Sequence, residues 1–234
     1  MVVRLYCIKY KDLDKDLFLY KKLAKESCKN LNSFVRISTC ERIEIYSDKP
    51  LNSIDGMDNL EYPQSMQHAI EVCAGLDSGL FGEIEILDQI KNSVATAKKE
   101  EHLSKELGDL FFKIFKISKE VRKRYLLNES WVNAVKQKIR NKKRVFIYGG
   151  GGLSKKLRKS LKGKFDLVKD KENAEALVIL KKGFVPLNNE KVIIINLTDK
   201  KIKKDEYTTK DFFTKPKEEI VKEIRREIKE ILNY

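Results

Sequence analysis

No run among the 234 residues approaches the roughly 20 consecutive apolar positions that a membrane-spanning helix needs. The opening Met1-Val-Val-Arg-Leu-Tyr6 lacks the layout of a secretory leader. Cysteine is sparse (Cys7, Cys28, Cys40 and Cys73), with no Cys-x-x-Cys and neither of the two histidines at finger spacing. That argues against a secreted disulfide framework and against a structural zinc. The expectation is a cytoplasmic chain with reduced thiols and no membrane partner. Lysine and arginine are missing altogether from residues 50–90, which hold eight acidic residues.

What is present is an uneven positive charge. The net charge is +14, yet residues 1–134 carry 21 basic and 21 acidic side chains, so the excess lies in residues 135–234, with 28 against 14. A basic half attracts a polyanion such as tRNA through phosphate contacts and counterion release. The competing reading is a lysine-rich, solvated surface.

Hydrophobic periodicity divides the chain. Residues 1–9 read as a strand and 12–30 as a helix with Leu13, Leu17, Tyr20 and Leu23 on one face. Phe34-Val-Arg-Ile-Ser-Thr-Cys-Glu-Arg-Ile-Glu-Ile-Tyr46 reads as two strands around a short polar segment, which sets the Cys40 thiol beside the Arg42 guanidinium. A neighbouring cation lowers a thiol's pKa, and the thiolate is the nucleophile. Taken alone, Cys40 reads equally as a small buried hydrophobe. Residues 65–126 are helical in pattern, interrupted at Gly75-Leu-Asp-Ser78. The predicted class is α+β for this part.

Residues 128–143 read as a basic amphipathic helix linking two domains. Arg144-Val-Phe-Ile-Tyr148 is then a short buried strand entering Gly149-Gly150-Gly151-Gly152-Leu153-Ser154 and a helix. Strand, glycine turn and helix are the context a dinucleotide-binding turn requires. Gly149 makes the tight turn, Gly151 admits a pyrophosphate at the helix N-terminus, and Ser154 stands at the third glycine position. Asp170 lies about twenty residues on, where an acidic residue would hold a ribose hydroxyl, with Lys169 and Lys171 beside it suited to a 2′-phosphate. Strands are expected at 166–168, 176–180 and 192–197, with no room for a full helix between the first two. A last helix carries Ile220, Val221, Ile224, Ile228 and Ile231 on one face.

Thr39, Cys40 and Arg42, followed by His68 and by Gly75, Leu76, Asp77, Ser78, Gly82, Glu83, Ile86, Leu87, Gln89 and Lys91, resemble the glutamyl-tRNA reductase family. The resemblance is concentrated between residues 34 and 127. It implies an α+β catalytic domain over residues 1–127, a linker helix over 128–143, and a reduced Rossmann-like α/β NADP-binding domain over 144–234. It also implies a short form without the family's C-terminal dimerisation domain. The implied activity is NADPH-dependent reduction of glutamyl-tRNA to glutamate-1-semialdehyde through a thioester on Cys40, opening the five-carbon route to tetrapyrroles.

In that scheme His68 is a general base or orients substrate, and Thr39 and Ser78 bond the glutamate head group. Arg42 faces a substrate anion or pairs with Glu41 or Glu44. Glu83 and Glu85 line the substrate side, and Glu83 and Lys91 stand equally at helix positions where ion pairs are common. Asp77-Ser78 doubles as a helix cap. Gly149 to Gly152, Ser154 and Asp170 hold NADPH. Partners implied are glutamyl-tRNA, a second copy through the C-terminal helix, and the next enzyme of the pathway. Glu41 replaces the family's Asn beside the nucleophile, which raises the thiol's pKa, and Glu85 replaces a Gln. Two alternatives stand: a non-reducing homologue that binds tRNA or a partner in a regulatory role, and an enzyme similar to precorrin-2 dehydrogenase.

Overall fold

The computed structural model describes residues 5–10, 17–39, 42–180, 192–196, 207–208 and 217–233. The chain forms two units, Met1–Asn128 with Pro216–Tyr234, and Glu129–Lys215.

Unit 1 is built on an antiparallel sheet of β1 (Tyr6–Tyr10), β2 (Val35–Ser38), β3 (Ile43–Ser47) and β4 (Asp58–Leu60), in the order β2-β3-β1-β4. Every residue of β3 is buried, because both its faces are covered. Ile43 and Ile45 pack with Ala24 and Cys28 of α1 (Leu17–Cys28). Tyr46 lies on the other face, in a larger core with Ile70 of α2 (Gln64–Ala74), Ile90 of α3 (Glu85–Lys99) and Phe111 of α4 (Lys105–Arg124). The two-residue period of a strand therefore turns Arg42, Glu44 and Tyr46 together toward α2.

The last helix, α7 (Lys217–Leu232), belongs to this unit. Its Ile224, Ile228 and Leu232 enter the larger core, and Arg225 grips the buried Glu71 of α2 through Nε at 3.1 Å and Nη2 at 3.0 Å. This corrects one expectation from the sequence: the helix does not stay with the nucleotide-binding half, and its main apolar stripe enters the core of unit 1. A tertiary contact 154 residues away in sequence decides its place, and local pattern carries no trace of it.

Unit 2 is a parallel sheet of β5 (Arg144–Tyr148), β6 (Asp166–Leu167), β7 (Ala176–Ile179), β8 (Ile193–Asn196) and β9 (Tyr207–Thr208), ordered β6-β5-β7-β8-β9. The expected linker helix is α5 (Trp131–Lys138), and it is a working part of this unit. Its Val135 packs with Leu157 and Leu161 of α6 (Gly152–Leu161) and with Val145 and Ile147 on one face of the sheet. Between β6 and β7 the chain makes only a 3-10 turn (Lys171–Asn173) in place of a crossover helix, as the spacing predicts. Among the described residues no helix is long and apolar enough to cross a membrane.

Ile228 is fully buried in the larger core, on the helix that packs against α2. Ile228→Ala is expected to destabilise unit 1 by about 2–5 kcal/mol, read as a drop in denaturation midpoint. An unchanged midpoint would show that α7 does not complete the core.

Candidate active site

The β2–β3 hairpin ends where Thr39 N–H donates to the Arg42 carbonyl at 2.9 Å and Arg42 N–H donates to Thr39 Oγ1 at 3.1 Å. Cys40 and Glu41, which these bonds enclose in sequence, lie outside the described residues. The guanidinium of Arg42 is fully buried. Its Nη1 reaches Glu44 Oε1 at 3.3 Å and Asp77 Oδ2 at 3.1 Å, and its Nη2 donates to the Asp77 carbonyl. Of the two roles expected for Arg42, the structure places the internal one: it ties the hairpin to the loop after α2, and its charge is matched by two carboxylates.

Glu44 is the hub. Its Oε2 accepts the Tyr46 hydroxyl at 2.8 Å, and its Oε1 lies 3.0 Å from His68 Nε2. Burial by itself would raise the Glu44 carboxyl, but His68, Arg42 and Tyr46 together outweigh it and hold the group down to about 2. The carboxylate is therefore ionised and can only accept, so the proton on this side of the imidazole sits on Nε2. His68 is buried in the middle of α2 rather than opening the helix, and Nδ1 is the nitrogen left for other chemistry.

The loop from Gly75 to Glu83 is closed on itself and clamped from outside. Gly75 has φ +77°, and a Cβ there would stand 2.8 Å from both the N and the O of Glu83. Only glycine fits. Gly82 N–H donates to the Gly75 carbonyl at 2.9 Å. Arg122, buried on α4, donates to the carbonyls of Cys73, Glu83 and Gly82 at 3.3, 3.0 and 2.8 Å. Asp77-Ser78 is not the expected helix cap, since α2 has already ended and α3 begins only at Glu85, with Ile84 at its N-cap. Asp77 serves Arg42 instead. The Ser78 hydroxyl is buried without a hydrogen-bond partner among the described residues. Glu83 and Glu85 are both buried, Glu85 in the first turn of α3, where the helix dipole favours an acid.

The three described thiols are poor nucleophiles. Burial pushes Cys28 up to about 11, and burial followed by the nearby Glu44 charge drives Cys7 and Cys73 well above the ordinary thiol range.

Residues that the motif did not single out are Glu44, Tyr46 and Arg122. The available signal for the first two was polar residues at alternate positions, Arg42-x-Glu44-x-Tyr46, threaded between Ile43 and Ile45. A strand with two apolar faces has no reason to alternate that way.

In unit 2 the glycine turn follows β5 directly. Gly149 has φ +139°, and a Cβ there would lie 2.9 Å from Leu180 Cβ, so close packing demands it. At Gly150, Gly151 and Gly152 an added Cβ would meet nothing within 4 Å. Packing does not require these glycines, and Gly151 is the N-cap of α6. The cradle is open where helix amide groups point outward, which fits a pyrophosphate. Ser154 is buried, and its hydroxyl donates to the Gly149 carbonyl at 2.7 Å, locking the turn. β6 and β7 flank β5 on opposite sides, so the turn sits at the sheet's topological switch point. Asp170 is exposed beyond the end of β6.

Residues 12–125 match the family profile of the glutamyl-tRNA(Glu) reductase N-terminal domain. The chain is 29% identical over 210 residues to glutamyl-tRNA reductase of Clostridium acetobutylicum, covering 80% of this chain and 49% of that protein. It is 34% identical over 129 residues to the Methanococcus maripaludis enzyme, covering 52% of this chain and 31% of that one. The chain thus spans half or less of the length of these curated relatives. Among solved structures, glutamyl-tRNA reductase from Methanopyrus kandleri aligns with 97% of this chain and 76% of its own, at a TM-score of 0.51 and 16% identity, a likeness of fold.

A carboxyl held below its unfolded value contributes stability that is complete above about pH 4.5 and is lost as pH falls toward about 2. Glu44→Gln is expected to lose that acid-sensitive component. At neutral pH it should cost about 3–5 kcal/mol, because Arg42 keeps its buried charge with one carboxylate fewer. Denaturant titrations at pH 7 and between pH 5 and 2 test this, and wild-type stability throughout would remove Glu44 from the hub.

Proposed function

We propose, for a chain whose residues 12–125 belong to the glutamyl-tRNA reductase family, that it reduces glutamyl-tRNA to glutamate-1-semialdehyde, the first step of five-carbon tetrapyrrole synthesis. The observation that carries this reading is the Arg42–Glu44–His68 network behind the hairpin that holds Cys40.

The Cys40 thiolate attacks the ester carbonyl joining glutamate to tRNA. The C–S bond forms, the C–O bond breaks, and the tRNA hydroxyl leaves with a proton. Arg42 is a positioning residue: it holds Thr39 and the hairpin end against the loop at Asp77. His68, fixed by Glu44 through Nε2, presents Nδ1 as the site that takes or returns a proton. The Ser78 hydroxyl, buried and unmatched among the described residues, supplies a bond to the glutamate head group, and Thr39 Oγ1 stands at the hairpin end for the same purpose. NADPH, when bound, would supply the hydride which, with one proton, reduces a thioester to aldehyde and free thiol. Gly150 to Gly152 at the α6 N-terminus would hold its pyrophosphate, and Asp170 with Lys169 and Lys171 would take its ribose side.

A second reading is favoured by the 3-10 turn that stands where a crossover helix would support a full nucleotide fold: a non-reducing homologue that binds tRNA or a partner protein.

Single-turnover reaction with glutamyl-tRNA, with and without NADPH, separates the two. Cys40→Ser is expected to abolish acyl-enzyme and aldehyde while leaving the circular dichroism spectrum unchanged; full activity in that variant would end the thioester mechanism. Gly151→Val is expected to weaken NADPH binding at least tenfold while Cys40 still acylates. Unchanged cofactor affinity would remove the nucleotide role of the turn, and absence of any acylation by the wild type would transfer the case to the binding reading.

A further inference from the structure

Between Ser130 and Phe165 the chain carries twelve lysines and arginines and not one acidic residue. The fold brings the two helices of this stretch together. α5 and α6 pack together on the same face of the unit 2 sheet, through Val135, Ile139, Leu157 and Leu161. Their apolar sides are turned inward, and Arg140, Lys143, Lys155, Lys156, Lys159 and Lys162 are exposed.

A lysine-rich composition does not by itself produce such a face. α7, from the same chain, holds five basic and five acidic residues, and Arg226 pairs with Glu230 one turn on. The α5–α6 surface does the opposite. Lys155 and Lys159, and Arg158 and Lys162, are like charges four residues apart on one helix, an arrangement that repels. Lys155 and Lys156 lie near the start of α6, with no acid in its first turn, against the sense of the helix dipole. The face is cationic and self-repelling, and meets an acid at its Lys143–Arg144 edge, where Glu175 takes the Lys143 N–H at 2.7 Å and pairs with Arg144 at 3.4 Å. Such a face is relieved by a polyanion laid across it.

The chemistry narrows the polyanion. Trp131, the aromatic of α5, is buried, and α6 has none, so bases have nothing to stack on. The face is suited to phosphate and not to base readout. A bilayer is a poor match, because the apolar residues of both helices are already in the core and none is left to insert.

We propose that the α5–α6 face of unit 2 docks the phosphate backbone of a structured RNA. The proposal rests on the reductase reading only for the identity of the RNA, which would be the acyl carrier itself, held away from its reacting end.

The test is fluorescence anisotropy of the full chain with labelled, deacylated tRNA over a range of salt. One variant replaces Arg140, Lys143, Lys159 and Lys162 by Gln. A control of equal net charge replaces Lys113, Lys116, Lys119 and Lys123 on exposed positions of α4 by Gln. The first is expected to bind at least tenfold more weakly near about 150 mM salt, with the log–log salt slope shallower by about 3, since each phosphate contact contributes roughly 0.7–0.9. The control should stay within twofold. Equal losses in both variants would reduce the effect to net charge and overturn the proposal, as would no loss in the first. Wild-type binding to phosphatidylserine vesicles without binding to RNA would overturn it in favour of a membrane surface. Acylation of Cys40 by a small activated glutamyl ester needs no RNA surface: its failure in the wild type counts against the reductase reading alone, and its persistence in the α5–α6 variant keeps the two questions apart.

Discussion

A guanidinium with no access to water must have its charge and its donors met inside the protein, and Arg42 sets that requirement for unit 1. Glu44 and Asp77 meet its charge and accept from both of its terminal nitrogens. Neither carboxylate is free to be anywhere else: Glu44 has to come from the same strand face two residues on, and Asp77 has to be delivered by a loop. That loop can turn only because Gly75 takes a left-handed conformation against Glu83, and it stays in place because Arg122 holds its carbonyls from α4. The second carboxylate oxygen of Glu44 needs a donor and finds Tyr46, while the first is shared with His68. One buried cation thus sets the positions of a strand, a helix and a loop. A partly satisfied network of this kind would be worse than an apolar core, which is why these side chains stand or fall together.

Unit 2 solves a different problem with less material. Its parallel strands need covering on both faces, and α5 and α6 supply one of those layers with only Val135, Ile139, Leu157 and Leu161 as their main apolar contribution. The glycine turn is held by backbone and by Ser154 rather than by bulky packing. Gly149 is dictated by its neighbour Leu180, whereas Gly150 to Gly152 are dictated by nothing within the unit.

The element pattern was legible from periodicity: the strands at the two ends of the Cys40 hairpin, the amphipathic helices after it, and the strand–glycine–helix sequence at Arg144. So was the absence of a helix between β6 and β7. Arg42, His68, Asp77 and Ser78 stand out in the motif as well, and the Arg42–Glu44 pairing is one of the two roles it offers, but the links from Arg42 to Asp77 and from Glu44 to His68 are not legible there. Asp77-Ser78 looks like a helix cap because that is the commonest use of the pair, yet it serves a cation 35 residues earlier. Glu44 looks like the solvent-facing member of an alternating strand, and only the arrival of α2 on that face buries it. α7 was assigned to its sequence neighbours, because nothing in its own amphipathic pattern names Glu71 as its partner. Each miss has the same origin: pattern reports which face of an element is apolar, and not what comes to cover it.

Unit 1 is interrupted in the chain by the whole of unit 2, and this bears on how the protein is made. Residues 129–215 are synthesised between the two parts of unit 1, so the part made first waits for its last helix until the end of synthesis. Until α7 arrives, the seam on α2 that it covers is bare, and Glu71 is without Arg225. A chain stalled or cut anywhere in unit 2 is left in that state, with an open apolar seam of the kind chaperones and quality-control proteases bind.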